Sequence, residues 1–478
     1  MAATEGAVGI GEGTLATAEK AKLRKVLRRF DLVLFTACAI VGLDSVAAAA
    51  EAGAQAITWL VVSLVIFLIP YGMLTAELGS AFPVEGGPYE WARMSFGRPA
   101  GAVTAILYWL SNPLWVGGSL TASTIAAING FVVTKPLGTT AEIIVGLVFT
   151  WVTVAIAIIA FLIKHGHPAG TSTAADLKPS LNGFLTAIGI LVFLWAGFEL
   201  SNGASEEMRN PQRDVPRMIV GAGIIAAVLY GLVILGIILV IPRAGLSGVA
   251  GFADAYSHVA SVFNSHPLNV LFAVLVILTL VGSGSVWLEG ADRTQAIAAL
   301  DGAAPAWMGR FTSFGTPIAV NLSSGIVSSV ICVVVFVATK GSLASFFAVM
   351  LALTISTTTL SYVFIFPALV VLRRRYPDRE RPYRVPGGQA GAWAAVIITE
   401  LFVVVTVITL VWPGAINAWF GQSYSIESSW GVSRVFFESV TLGSLGVMIV
   451  LGLVFWTIGE RNRRRGIVGI AMPAEREQ

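Results

Sequence analysis

The sequence contains little charge, cysteine or histidine for its length. Only 12% of its 478 residues are charged, whereas 56% are hydrophobic, and it has two cysteines and four histidines. With a mean hydropathy of +0.81, this composition excludes a soluble domain of that size. Cys38 and Cys332 both lie in apolar runs, which favours two buried small side chains over a disulfide or a metal site.

Motifs for catalysis and nucleotide binding are also missing. The sequence has no Walker loop and no Ser/His or Cys/His arrangement, so we expect neither an enzyme nor ATP-driven transport by this chain alone. The net charge of +3 is divided among loops and indicates membrane topology, not a nucleic-acid partner. We expect no cofactor and no metal.

Apolar runs of about 20 residues recur along the chain, each long enough to cross a bilayer as a helix. They predict an all-α integral membrane protein with eleven spans. The predicted spans are 31–56, 58–80, 99–131, 141–163, 184–204, 217–241, 268–300, 317–338, 343–372, 392–412 and 437–457. Basic clusters flank them, and the positive-inside bias predicts a multi-pass cell-membrane protein with both termini in the cytoplasm.

The two ends of the chain are polar and differ from the apolar middle. Residues 1–29 are rich in Gly, Ala and Glu and then become basic, without an apolar core of signal-peptide length. We therefore predict a disordered cytoplasmic tail over 1–29, a transporter domain over 30–460 and a cytoplasmic tail over 461–478.

The odd number of spans conflicts with two basic termini on one side. The conflict falls between residues 163 and 184, where the link is too polar to hide another span. Either a span is missing there or one predicted segment does not cross the membrane. We favour a missing span.

Two predicted spans are interrupted in their middle by a glycine followed closely by a carboxylate. The first contains Gly42 and Asp44, and the fifth contains Gly197 and Glu199. A charged group at membrane depth is costly and usually faces a cavity, a partner or a substrate. Paired interruptions in two halves are typical of discontinuous helices in an inverted-repeat transporter. The alternative is that both glycines only allow close helix packing.

Other polar and aromatic residues inside the spans have two interpretations each. Glu289 is either an acid lining a cavity or a polar packing residue. Trp109, Asn112 and Trp115 form either a recognition face for a small polar ligand or a packed aromatic stripe. The position of Glu77 at the end of its span favours a structural role for this residue over a role in ion coupling. Tyr108 and Trp195 are candidates for gating the site.

Specific motifs resemble a known family. Gly197-Phe198-Glu199 is followed by ASEEMRNPQRDVPR over residues 204–217. Further matches are AELGSAFPVEGGPYEW over 76–91, Asp292-Arg293, and RPYRVPGG over 381–388. From about residue 28 to 460 the chain resembles the amino acid-polyamine-organocation (APC) superfamily of permeases, which have a LeuT-like inverted-repeat fold. The family has twelve helices, and the alignment of these motifs leaves its fifth helix absent here.

The resemblance implies that substrate binds where two helices unwind, at residues 41–45 and 195–199. Together with the features above, it gives these candidate substrate-binding residues: Val41, Gly42, Asp44, Ser45, Tyr108, Asn112, Trp195, Ala196, Gly197, Glu199 and Glu289. Asp44, Glu199 and Glu289 are also candidates for ion coupling. Asp44 stands where the family usually has a small residue and resembles the acidic version found in its polyamine-transporting branch.

The leading hypothesis is a secondary transporter of amino acids or related amines that works by alternating access, coupled to protons or to a counter-substrate. A polyamine carrier for putrescine-like substrates is the alternative within transport. A ligand-binding relative that lacks one helix and does not transport is the alternative from another class. The expected partners are a small amino acid or amine, protons or a counter-substrate, and the lipid bilayer.

Overall fold

The computed structural model describes residues 13–23, 25, 27–40, 42, 45, 46, 49, 52–120, 174–240, 266–313, 315–339, 343–427 and 431–470. No β-strand is present in these ranges; Leu27 and Met208 form an isolated parallel bridge. The α-helices are α1 Thr14–Lys20, α2 Arg29–Ile40, α3 Gln55–Ala81, α4 Gly87–Phe96, α5 Arg98–Trp115, α6 Leu181–Leu194, α7 Pro211–Val240, α8 His266–Leu300, α9 Ile318–Ala338, α10 Leu343–Ile365, α11 Ala368–Arg375, α12 Gly388–Val411, α13 Ala415–Trp419 and α14 Arg434–Arg464.

The all-α membrane fold predicted from hydropathy is confirmed. Six helical segments of the described chain are long and apolar enough to cross a bilayer. Every predicted span except 141–163 overlaps a described helix. That span and the expected gap at the fifth family helix lie outside the described residues. The number of spans therefore stays a prediction.

Apolar side chains cover the outside of the bundle as well as its interior. Val220, Leu322 and Val450 are each more than half exposed on α7, α9 and α14. Such faces suit contact with lipid tails, which are as apolar as the side chains themselves. α5 lies at the centre, packed against α4, α8, α10 and α14. It therefore carries side chains that face several other helices.

The structure interrupts the helices at both glycine–carboxylate positions. α2 ends at Ile40, Gly42 is not helical, and Ser45 is helical again. α6 ends at Leu194, residues 195–199 are not helical, and a 3₁₀-helix follows over Leu200–Glu207. Both predicted interruptions are confirmed.

The segment predicted to be a disordered N-terminal tail is partly folded. Gly13 and Leu15 donate backbone hydrogen bonds to the carbonyls of Gly469 and Ile467, at 3.0 and 3.1 Å. α1 follows, and the Glu19 carboxylate accepts a hydrogen bond from the Phe311 amide at 2.8 Å. The prediction of disorder is therefore wrong for residues 13–23, because contacts with distant parts of the chain order them.

Arginine–carboxylate groups tie the helices together at one end of the bundle. We call this the basic end; its arginines are Arg93, Arg98, Arg293, Arg373 and Arg381. Arg373 Nε and Nη2 contact the two oxygens of Glu77 at 2.7 and 2.5 Å, and the Val385 amide donates to Glu77 at 2.7 Å. These contacts support the structural role predicted for Glu77.

A second group at the basic end is centred on Asp301. Arg93 and Arg98 contact its carboxylate at 3.2 and 3.0 Å, and the Tyr89 hydroxyl donates to it at 2.6 Å. The Ile470 amide also donates to it, at 3.0 Å. The end of α8 is therefore joined to α4, α5 and the C-terminal segment.

Candidate functional site

Glu199 lies fully buried at the second helix break and is bound by hydroxyl groups from three helices. Tyr108 of α5 and Tyr362 of α10 each donate a hydrogen bond to Oε1 at 2.9 Å. Tyr71 of α3 donates to Oε2. No Lys, Arg or His side chain within the described ranges pairs with this carboxylate. We call Glu199 with Tyr71, Tyr108 and Tyr362 the Glu199 cluster.

Two opposing effects act on the charge of Glu199. Burial in the bundle disfavours the charged form of a carboxylate, whereas hydroxyl donors stabilise it. The charge state of Glu199 therefore depends on whether the three hydroxyl groups stay in place. Those hydroxyls belong to three separate helices, α3, α5 and α10.

Tyr71 also binds the unwound backbone beside Glu199. Its hydroxyl oxygen accepts hydrogen bonds from the Gly197 and Phe198 amides at 3.1 and 3.2 Å. Gly197 has a φ of +122°, which strongly favours glycine. A Cβ atom there would lie 3.4 Å from the Trp287 ring. The glycine predicted as a helix breaker thus permits both the turn and the close packing.

At the first helix break, Tyr230 of α7 bridges the two sides of the interruption. Its hydroxyl donates to the Ile40 carbonyl and accepts from the Gly42 amide, the latter at 3.1 Å. The Tyr230 ring packs edge-on against Trp195, with centroids 5.5 Å apart. One side chain therefore connects the two breaks.

Two side chains of α8 complete the capping of α2. Ser283 donates to the Cys38 carbonyl and Trp287 Nε1 donates to the Ala39 carbonyl, each at 2.8 Å. Carbonyl groups in the last turn of a helix lack partners within that helix. Side-chain donors satisfy them here, so α8 fixes the end of α2.

Tyr108, Asn112 and Trp115 lie on one face of α5, at positions i, i+4 and i+7. The Tyr108 and Trp115 rings both contact Trp287, with centroids 6.1 and 6.3 Å apart. Asn112 lies between them and is 1% exposed, and neither of its amide atoms has a hydrogen-bond partner in the described structure. A buried amide without partners is costly unless a ligand or water satisfies it.

The spacing predicts that Trp109 shares a face with Asn112 while Trp115 turns partly away; in the structure Trp115 shares that face and Trp109 points toward α9. Its indole donates to Ser324 of α9 at 2.7 Å, and Ser324 donates to Asp292 at 2.8 Å. With its side-chain nitrogen oriented toward Asp292, Asn321 donates to the other oxygen of that carboxylate at 2.9 Å. Sequence reasoning treated Asp292 only as part of a motif and missed this fully buried polar group.

Glu289 does not join the Glu199 cluster. It pairs with Arg293 at 3.6 Å, and 46% of its side chain is exposed. Trp287 faces the Gly197 turn, and a residue two positions later on a helix points about 200° away. Glu289 therefore points away from the Gly197 turn, and its predicted roles in substrate binding and ion coupling stay predictions.

Arg293, the partner of Glu289, also binds two deeply buried carboxylates at the basic end. Its Nη1 lies 3.1 Å from both Glu85 and Glu207. The Glu206 amide donates to Glu85 at 2.9 Å. Burial raises the pKa of Glu85, which lies outside the spans, to about 8; Arg293 opposes this rise, and the Glu206 and Glu207 carboxylates add to it.

The other predicted site residues have mixed outcomes. Val41 and Asp44 lie outside the described residues. Ser45 and Ala196 are buried. Trp195 is fully buried and donates to the Ser63 hydroxyl at 2.9 Å. A gating role for Trp195 stays a prediction.

Tyr71, Tyr362 and Trp287 were not predicted as site residues. A tyrosine or tryptophan inside an apolar span needs a partner for its polar atom. That need was a usable signal, although it does not identify the partner. Within the described chain, no group of three or more His, Cys, Asp or Glu side chains could hold a metal ion.

Comparison with known proteins agrees with this architecture. A family described as amino acid permease matches residues 27–162 and 123–426. The chain is 28% identical over 411 residues to the probable agmatine/putrescine antiporter AguD of Lactococcus lactis, covering 79% of this chain and 86% of that protein. It is also 28% identical over 397 residues to an uncharacterized transporter of Legionella pneumophila, covering 76% and 85% of the two chains.

Solved structures with a similar fold include the manganese transporter of Eremococcus coleocola. Crystal structures of two of its mutants each align with a TM-score of 0.54 at 15% identity. The alignments cover 90% and 95% of this chain and 94% and 98% of the matched chains. At that identity, the similarity concerns the fold alone.

Proposed function

Because the chain belongs to the amino acid permease family of membrane transporters, we propose that it moves amines or amino acids across the cell membrane by alternating access. The Glu199 cluster acts as its proton-sensitive gate. The observation that carries this proposal is one buried carboxylate bound by hydroxyls from three helices, beside an unwound backbone.

Opening of the gate toward the basic end requires the helices of the Glu199 cluster to separate. Separation removes hydroxyl donors from a charged Glu199, which leaves a buried charge with fewer hydrogen bonds. A proton on Glu199 removes that penalty. Proton binding therefore favours separation, and proton release favours closure, which is the coupling that alternating access needs.

The backbone at the second break favours an amine over a zwitterionic amino acid as substrate. The Gly197 and Phe198 amides already donate to the Tyr71 hydroxyl. A substrate carboxylate that docks on these amides must displace Tyr71, whereas an amine makes no such demand. The described residues at the two breaks contribute a carboxylate and aromatic rings, and α5 contributes the Asn112 amide, all of which suit a cation.

The similarity to a probable agmatine/putrescine antiporter supports an amine substrate. Exchange with a second amine or coupling to protons completes the cycle. We propose that the basic end faces the cytoplasm, which follows the positive-inside bias. The ion pairs Arg373–Glu77, Arg293–Glu207 and Arg93–Asp301 then close the cytoplasmic side.

Uptake into proteoliposomes tests this function. Labelled putrescine, agmatine, arginine and leucine are compared with and without a proton gradient, and with liposomes preloaded with each unlabelled amine. We expect saturable uptake of putrescine or agmatine, stimulated by the gradient or by preloading. Preferred uptake of leucine would contradict the amine preference. Ligand-induced stabilisation without flux would favour a ligand-binding relative that does not transport.

A further inference from the structure

An apolar groove lies on the outer surface of the bundle between α3 and α7. Its volume is about 650 Å³. The two helices approach closely beside it, since a Cβ atom on Gly72 would lie 3.1 Å from Ile219. The apolar residues lining the groove are Leu64, Leu68, Ile69, Gly72, Met73 and Ala76 of α3, Phe198, and Pro216, Ile219, Val220, Gly223, Ile224 and Ala227 of α7.

Small residues and an irregular turn create this groove. Gly72, Gly223 and Ala227 leave space that larger side chains would fill. α3 contains a π-helical turn over Leu64–Leu68, at the apolar end of the groove. The exposed side chain of Ile224 borders it. The surface therefore has room for a flexible hydrocarbon chain.

The opposite end of the groove is positively charged. Arg29 and Arg217 line it together with Tyr383. Both arginines are exposed, and the ion pairs found in the described part of the chain include neither of them. This mouth lies at the basic end, where α2 and α7 begin. An anionic group at the mouth therefore gains two unpaired cationic partners.

The length of the groove corresponds to one leaflet of a bilayer. Along α7 it runs from Pro216 to Ala227, which is about 16 Å at a rise of 1.5 Å per residue. That is roughly half of the 30 Å hydrocarbon core. Charge at the headgroup level and apolar surface below it match the two parts of a phospholipid.

We propose that this groove binds an anionic phospholipid, with its phosphate on Arg29 and Arg217 and one acyl chain between α3 and α7. The unpaired arginines favour an anionic lipid over a zwitterionic one. A site confined to one groove also differs from general contact between the bundle and the bilayer. The inference goes beyond the proposed transport function and does not depend on it.

The groove adjoins the Glu199 cluster through Phe198. Phe198 lines the groove, and its ring lies 5.4 Å from the Tyr71 ring. A Cβ atom on Gly223 would lie 3.4 Å from Phe198 Cζ. An acyl chain in the groove therefore contacts the turn that carries Glu199, and lipid occupancy supports the packed state of that turn.

Native mass spectrometry of the purified full-length protein tests lipid binding directly. Palmitoyl-oleoyl phosphatidylglycerol and phosphatidylcholine, which share their acyl chains, are titrated in the same detergent. We expect selective retention of phosphatidylglycerol. The double variant Arg29→Gln/Arg217→Gln should bind it roughly thirtyfold more weakly, at about fivefold for each arginine near the membrane surface.

Two further variants separate the parts of the site. Arg213→Gln is the matched control, because Arg213 lies one turn before Arg217, is exposed and does not line the groove. It should retain lipid as the wild type does. Ala227→Phe, which fills the apolar end, should weaken binding of both lipids. Thermal unfolding verifies that each variant is folded.

Three results would overturn the proposal. These are equal retention of the two lipids by the wild type, unchanged retention by the double arginine variant, and equal losses in the double variant and Arg213→Gln. Because the readout is lipid binding, it is independent of whether the protein transports amines.

Discussion

At the scale of the residue, Tyr71 makes more contacts at the site than any other tyrosine of the Glu199 cluster. Its hydroxyl donates to Glu199 and accepts from the Gly197 and Phe198 amides. The Tyr362 hydroxyl donates one hydrogen bond, to Glu199 at 2.9 Å. Removal of the two hydroxyls should therefore have unequal effects.

Tyr71→Phe should destabilise the protein by about 2–4 kcal/mol, since it leaves a buried carboxylate and two buried amides with fewer partners. Tyr362→Phe, the matched control, should cost about 1–2 kcal/mol because it removes one bond to the same carboxylate. Thermal and denaturant unfolding in one detergent measure both. An equal loss in the two variants would contradict the bridging role of Tyr71.

Glu85 should give the folded protein a characteristic dependence of stability on pH. Folding raises the pKa of Glu85 from its ordinary value of 4.5 to about 8. Between these values the folded state binds more protons than the unfolded state, so stability is greatest below pH 4.5 and falls as the pH rises toward 8. Glu85→Gln should flatten this part of the profile. Unfolding temperatures at pH 5, 6, 7 and 8 measure it, and an identical slope in both proteins would reject the assignment.

At the scale of the element, the second break depends on a backbone conformation that only glycine adopts readily. Gly197 has a φ of +122° and follows the end of α6. The 3₁₀-helix Leu200–Glu207 then leads to the basic end. The break therefore sets the direction in which the Glu199 side chain points.

Gly197→Ala should destabilise the break by about 1–3 kcal/mol, because a residue with a Cβ atom is strained at this φ. Gly231→Ala is the matched control: Gly231 lies within α7, and a Cβ atom there meets nothing within 4 Å. It should be neutral or stabilise the helix by up to about 1 kcal/mol. Unfolding measurements on both variants distinguish the special turn from a general effect of glycine replacement.

The long apolar helices were predictable from the sequence because each follows a local apolar run. The Gly197–Glu199 break was predictable because a glycine and a carboxylate interrupt such a run. The partners of Glu199 were not, since Tyr71 and Tyr362 lie 128 and 163 residues away in the sequence. Folding of residues 13–23 was missed because their partners include Phe311 and Gly469. The two interpretations of Glu289 could not be separated from the sequence, because the rotation of α8 about its axis follows from packing.

At the scale of the whole molecule, buried ion pairs join separate segments of the chain at the basic end. Arg293 joins α8 to the Glu85 loop and to Glu207 at the end of the 3₁₀-helix. Opening at this end must break such contacts. These ion pairs stabilise the protein only when both partners are present, because a buried carboxylate without its cation is costly.

Arg293→Gln should therefore cost about 3–5 kcal/mol, as expected when one partner of a buried ion pair is removed. Arg434→Gln removes an exposed pair with Glu438 and should cost at most about 1 kcal/mol. Equilibrium unfolding of the two variants provides the comparison. Similar small losses would mean that the Arg293 group does not hold the basic end together.

The most direct test of the account is the response of amine uptake to a proton gradient in the wild type and in Glu199→Gln, reconstituted at equal density in proteoliposomes. Glutamine keeps the size of the side chain and its hydrogen bonding but cannot take up a proton at physiological pH. We predict that uptake by the wild type depends on the gradient and on pH, and that Glu199→Gln loses this dependence while still binding the amine. An unchanged gradient and pH profile in Glu199→Gln would contradict the role of Glu199 in coupling.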